Sequence, residues 1–293
     1  MSFSFVRRTG VGSQARRLAM EQVRAAIEEC RADADFDKTI HGLRRRCKKL
    51  RGLLRLVDLK KAVFAAENRA VRDAAEGLAG LRDAAVMVES FNALVAHDRS
   101  REGGPQLDPA LIEEVTGTLG RRVHAIGAAE RRRLLADFAA TLAPLSERAK
   151  GWQIEGHGFA SVEAGIEGTY RRMREAMEHA QDAPSAEALH DWRKHTKYHW
   201  HHVSLLRRAA PDVLGGRRDL LDQLGELLGD HHNLHVLQAV VGPSHAPLDE
   251  AIAERQAELA ARAFELGRQL TVEKPDVLRR RFEHFWQLMP DRE

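Results

Sequence analysis

Apolar residues recur along this chain at spacings of three and four with charged residues between them, the period of helices that bury one face. The pattern predicts helices over about Val11–Arg31, Phe36–Leu59, Lys61–Leu78, Leu81–His97 and Ala110–Ala149, and then over Phe159–Gln181, Ser185–Ala210, Gly216–Gly229, His231–Val241, Leu248–Gln269 and Pro275–Met289. Turn chemistry marks the breaks, most clearly in the run from Arg101 through Gly103-Gly104-Pro105 to Pro109 and at Gly156-His157-Gly158. Ser185, followed by Glu187 and Ala188, has the character of an N-cap. No segment alternates convincingly as a strand; the exception is Ser2-Phe3-Ser4-Phe5-Val6, which is expected to form a short extended arm.

A pattern within the pattern divides the chain. His41-x-x-Arg44-Arg45-x-x-Lys48 returns 149 residues later as His190-x-x-Arg193-Lys194-x-x-Lys197, and Leu78–Val86 lies opposite Leu228–Val236 at an offset of 150. A single inserted residue over that distance points to duplication of a whole helical unit. The expected fold class is therefore all-α, as a pair of antiparallel helical bundles, residues 1–155 and 156–293, divided near Gly156.

Composition sharpens this. At 293 residues, 43% hydrophobic and 30% charged, the chain is long enough for two domains of ordinary size, and too apolar to stay disordered. Cys30 and Cys47 are too few for a disulfide framework and suit a reducing compartment. No secretory apolar segment and no run of about 18 apolar residues occurs, so neither secretion nor membrane spanning is expected, and a cytoplasmic location is.

Net charge is only +3, so placement of charge matters more than its sum. On a helix His41, Arg44, Lys48, Arg51 and Arg55 fall within an arc of roughly 80°, opposite Leu43, Cys47, Leu50, Leu53, Leu54 and Val57. Gly52 sits inside the basic arc, where a missing side chain would let an oxyanion approach. Arg46 points toward the apolar side without an evident reason. The second copy places His190, Arg193, Lys194, Lys197, His201, Ser204 and Arg208 on one face, with Trp200 where the first has Arg51. From His41 to Arg55 and from Trp192 to Pro211 there is no acid, whereas an ordinary solvated face intersperses acids as i,i+4 pairs. Arginine offers bidentate hydrogen bonds to phosphate and lysine a mobile point charge, so both faces are expected to hold a phosphate-bearing polyanion. Arg16, Arg17, Arg72 and the cluster Tyr170-Arg171-Arg172-x-Arg174 are further candidates.

These residues resemble the conserved-histidine α-helical domain, CHAD. The likeness runs from about Phe5 to Trp286 and rests on His41-x-x-Arg44-x-x-x-Lys48-x-x-Arg51, Leu81-Arg82-Asp83, Tyr170-Arg171-Arg172, Leu189-His190-Asp191-Trp192-Arg193-Lys194-x-x-Lys197 and Leu228-Gly229-x-His231-His232-Asn233-Leu234. Asn233 departs from the family's usual Asp. The resemblance implies two pseudo-symmetric four-helix bundles whose basic faces line a shared surface, and binding of inorganic polyphosphate; that binding is expected to be noncatalytic and to need no cofactor, with polyphosphate granules as a further candidate partner. It adds Arg82 and His232 as possible anion contacts. Motifs of the triphosphate-processing domain to which some members are fused are absent, as expected for a standalone form.

Two other functions compete. Eight of the fifteen histidines lie between His190 and His235, and His195, His199 and His202 share a helical face, as do His231 and His235, so a metal-dependent phosphohydrolase is the enzymatic alternative. No carboxylate constellation for two-metal phosphoryl transfer accompanies them, and no metal is expected. Nucleic acid is the other rival, weakened because only Tyr198 and Trp200 lie near the basic face. His41 and His190 are cast as donors to phosphate; if protonated, they would strengthen binding as pH falls toward 6.

Overall fold

The computed structural model describes residues 3–32, 35–78, 83–101, 107–121, 126–242 and 245–291. Among them the chain is all-α, and the one extended pairing is an isolated antiparallel bridge between Leu59 and Ile154. The helices are α1 (Val11–Arg31), α2 (Phe36–Leu56), α3 (Lys61–Glu76), α4 (Asp83–Arg99), α5 (Pro109–Gly120), α6 (Ala128–Leu142), α7 (Pro144–Lys150), α8 (Glu163–Asp182), α9 (Ala186–Leu206), α10 (Pro211–Val241), α11 (Ala246–Leu270) and α12 (Pro275–Trp286).

Local chemistry explains the ends that matter. Asp35 caps α2 by accepting from the Lys38 backbone N–H at 2.9 Å, and Ser185 caps α9 by accepting from that of Ala188 at 3.0 Å. The stretch expected as one helix over Ala110–Ala149 is three helices, α7 beginning at Pro144, whose missing N–H is harmless only in a first turn. Conversely, the two helices expected between Gly216 and Val241 are the single α10, started by Pro211. Two of its four glycines serve packing: a Cβ at Gly225 would lie 2.6 Å from Lys197 Cε, and one at Gly229 3.1 Å from Arg193 Nε, whereas Gly215 and Gly216 meet nothing within 4 Å. Lys197 and Arg193 of α9 lie in the room that Gly225 and Gly229 leave. The N-terminal arm is packed rather than free: Phe5 is fully buried, edge-on to Trp286 at 6.1 Å, and its backbone N–H donates to Leu205 O.

The cores do not divide at residue 155. One cluster joins Leu18, Leu43, Leu50 and Leu53 to Tyr170, Trp192, Leu221, Phe282 and Trp286. The other joins Phe91, Leu94 and Val115 to Leu234, Leu237, Ile252 and Leu259, with α10 running from the first cluster into the second.

At the centre α2 crosses α9. A Cβ on Gly52 would stand 2.6 Å from His201 Cβ, and the two residues occupy equivalent positions of the sequence repeat. Gly52 is thus buried against a neighbouring helix, and the oxyanion approach expected there is closed. His202, fully buried, fastens the crossing: its Nε2 lies 3.0 Å from Gly52 O and its Nδ1 3.0 Å from Thr169 Oγ1. A neutral ring protonated on Nε2 meets both, donating to the carbonyl and accepting from the hydroxyl.

Burial pushes His201 and His202 down to about 3. In the unfolded chain such rings titrate near ~6.5, so below that pH the unfolded state binds more protons than the folded one. Their contribution to stability is complete above about pH 6.5 and declines as pH falls toward 3. The thermal unfolding midpoint is expected to drop steadily from pH 6.5 to pH 4, and less steeply in a His202→Gln variant; scanning calorimetry across that range checks it, and parallel profiles would contradict it.

Candidate anion-binding site

The face of α2 is sorted by its neighbours. Arg46 turns toward α1, where its Nη2 pairs with Glu29 Oε1 at 2.5 Å and its Nη1 donates to Gln22 Oε1 at 3.3 Å, which explains its position on the apolar side. Lys49 lies half-buried over the Phe3 ring, its pKa lowered by burial and then by Arg45 and Arg46. His41, Arg45 and Lys48 remain exposed.

Two grooves flank what is left. Arg44, Lys48, Arg51 and Arg72 line the first, between α2 and α3, together with Glu76. Arg55 and Arg172 line the second, between the end of α2, the start of α3 and α8, over an apolar wall including Phe64, with Asp58 also present. Arg51 and Arg55 are one helical turn apart and join the two grooves.

Among the described residues, the hydrogen-bond acceptors of Arg44, Arg51 and Arg55 are neutral oxygens, so no carboxylate pairs directly with these three cations. Arg44 Nη1 donates to Leu78 O at 3.1 Å, Arg51 Nε to Asn68 Oδ1 at 3.2 Å, and Arg55 Nη1 to Asn68 Oδ1 at 2.7 Å and Arg51 O at 3.1 Å. The Arg55 guanidinium also stacks 4.1 Å from the Tyr198 ring centre, and Arg51 stands 5.8 Å from it. Burial lowers the pKa of Arg55, and Arg51 and Arg172 add to that effect. Like charges held this close are relieved by an anion.

The second copy differs. Lys194 pairs with Asp191, Lys197 Nζ sits 2.9 Å from Asp222 Oδ1, and Arg193 is held near Asp230 while burial lowers its pKa. The absence of acid between Trp192 and Pro211 therefore does not leave these cations unpaired: Asp191 precedes that window by one residue, and α10 supplies Asp222 and Asp230. His190 packs on His232 at 4.2 Å between ring centres, and its pKa is lowered by burial and then by Arg193 and Lys194. The lowered pKa of His190 works against the strengthened binding expected from it toward pH 6. His232 is pushed down to about 4.

Other expected contacts are dispersed. His201 is 6% exposed inside the helix crossing, and Tyr170 is fully buried with its hydroxyl donating to Glu273 O at 2.9 Å, so neither is open to a ligand. Arg171 pairs with Glu167, and Arg174 donates to Glu273 O. Arg72 pairs with Asp73 at 2.9 Å, Arg17 with Glu21 at 2.9 Å, and Arg16 donates to Trp152 O in a separate groove beside the start of α1. Arg208 is exposed in the turn after α9. Arg82 lies outside the described residues.

The three histidines that share a face of α9 turn to different partners. His195 Nε2 lies 3.4 Å from Asp191 Oδ2, the buried His199 sits between the Tyr170 ring and Arg217, and both ring nitrogens of His202 are engaged as described. Among the described residues, no group of three His, Cys, Asp or Glu side chains could hold a metal ion, and no helix is long and apolar enough to cross a membrane.

Asn68 escaped the sequence reading, although a signal was present: Phe64, Asn68 and Arg72 recur every fourth residue, on the face that α3 turns toward α2. Comparison with curated proteins finds none that matches this chain. The family model for the CHAD domain matches residues 14–242, from α1 through α10 and across both histidine-headed helices, so the chain belongs to the CHAD domain family.

Proposed function

We propose that this protein binds inorganic polyphosphate, without catalysis, along the arginine face of α2. The observation that carries this proposal is that, among the described residues, Arg44, Arg51 and Arg55 are held by carbonyl and amide oxygens and not by carboxylates, so cations outnumber the carboxylates Glu76 and Asp58 in two adjoining grooves. From Lys48 to Arg55 the helix advances about 10 Å, which a polymer with a charge on every unit can follow and a single phosphate cannot. His41, Arg45 and Lys48 extend the face; His190, Arg193, Lys194 and Lys197 join it where phosphate displaces Asp191, Asp222 and Asp230. The proposed partner is cytoplasmic polyphosphate, free or in granules.

Chain length is the test. Affinity is expected to rise steeply from pyrophosphate through tripolyphosphate to long chains, because each added phosphate engages the next cation at high effective concentration. It should fall with salt, with no phosphate released in the presence or absence of divalent metal. Titration calorimetry with graded polyphosphates and a phosphate assay read both. Equal or tighter binding of RNA at matched charge would favour nucleic acid; Tyr198, already stacked on Arg55, offers that ligand little. Chelator-sensitive phosphate release would make the protein a hydrolase.

A further inference from the structure

One arginine from each groove shares a single neutral acceptor. Asn68 Oδ1 accepts from Arg51 Nε at 3.2 Å and from Arg55 Nη1 at 2.7 Å, so a single amide oxygen ties together guanidiniums that line different grooves. Its side chain is half-buried on α3, on the same face as Phe64 and Arg72. A carboxylate here would hold both arginines more strongly but would cancel about one charge. An amide fixes direction without that loss.

Geometry gives this fixing a consequence. Arg55 is restrained on one edge by Asn68 and on its face by Tyr198, 4.1 Å away, which leaves its remaining N–H groups toward the groove it shares with Arg172. Arg51 is restrained through Nε, leaving both terminal nitrogens for the groove it shares with Arg44 and Lys48. Long guanidinium side chains lose rotamer freedom when ordered, and a ligand that needs both at once benefits from having them ordered beforehand.

We propose that Asn68 is a positioning residue that couples the two grooves, so that it raises affinity for a linear polyanion long enough to span them and has little effect on one that fits within either. This rests on the polyphosphate proposal and adds to it a determinant of chain-length preference.

The test compares Asn68→Ala and Asn68→Asp with wild type, using tripolyphosphate and a long-chain polyphosphate as probes. In Asn68→Ala the charge is unchanged, and long-chain affinity is expected to fall about tenfold while tripolyphosphate affinity stays within about twofold. Asn68→Asp keeps the arginines ordered but partly neutralised, so affinity for both probes is expected to fall, with a shallower salt dependence. A purely structural role would lower the two affinities in Asn68→Ala together, and an idle residue would change neither; either result overturns the inference. If Asn68→Ala unfolds, Asn68→Ser supplies the same comparison. Should wild type bind no polyphosphate, the functional proposal itself fails; should wild type bind while Asn68→Ala keeps the wild-type ratio of affinities, only the coupling role fails.

Discussion

Replacing Arg51 and Arg55 together by Gln is expected to lower affinity for long-chain polyphosphate by at least about 100-fold, the largest loss from any pair on this surface. A charge-assisted hydrogen bond contributes about 1.5–3 kcal/mol, and a factor of ten corresponds to about 1.4 kcal/mol, so two lost guanidiniums account for roughly 3–6 kcal/mol. Partial exposure of both side chains favours the lower end. The slope of log affinity against log salt should become shallower by about two contacts' worth. The matched control is Lys194→Gln with Lys197→Gln. These lysines already face Asp191 and Asp222, so a phosphate gains only the difference between two anions, and a loss of less than about tenfold is expected. Calorimetry at two salt concentrations separates the cases. Equal losses from the two pairs would mean that the neutral acceptors around α2 do not distinguish its face from that of α9.

That contrast shows where the sequence was legible. The amphipathic period identified α1 from Val11 to Arg31 and the start of α2 at Phe36, because burial of one face is what holds such helices. It also identified the cationic arc, since the 100° step is a property of the backbone alone. It failed where long-range partners decide. Ala110–Ala149 is rich in helix formers but also holds Gly117, Gly120, Gly127 and Pro144, and propensity alone does not show which of these the chain uses to turn so that Leu119 packs in one core and Leu142 in the other. Charge pairing was misjudged for a similar reason: Lys197 meets Asp222 across 25 residues, and nothing local to α9 announces it. Arg46 is the converse, an apparent misfit resolved by Glu29 on the preceding helix. The inequality of the two copies, richer in arginine first and in histidine second, becomes physical in the same terms. Leu53 of the first copy matches His202 of the second, and it is His202 that bridges Thr169 to the carbonyl of Gly52. One copy presents its charge, and the other fastens the crossing.

Gly165→Ala should be the most destabilising of the small substitutions, lowering stability by about 3 kcal/mol, while Gly168→Ala, less than one turn further along α8, should be neutral or slightly stabilising. Both glycines lie in the same helix, where Ala is favoured over Gly by about 1 kcal/mol, so propensity alone predicts a gain at each. Space decides otherwise. A Cβ at Gly165 would stand 2.1 Å from Leu56 O and 2.6 Å from Leu56 C, whereas one at Gly168 meets nothing within 4 Å. The obstacle is backbone at the end of α2, so no side-chain rotation relieves it, and α8 must move away from α2. That displacement would strain the bonds of His202 to Thr169 on α8 and to Gly52 on α2, and separate Arg172 from Arg55 across the second groove. Stability and binding are therefore expected to fall together in Gly165→Ala, while stability holds in Gly168→Ala, as read by denaturant unfolding of both variants and long-chain polyphosphate titration of Gly165→Ala. A destabilised Gly165→Ala protein that, under conditions where it remains folded, binds with wild-type affinity would show that the second groove takes no part, and would confine the ligand to Arg44, Lys48, Arg51 and Arg72.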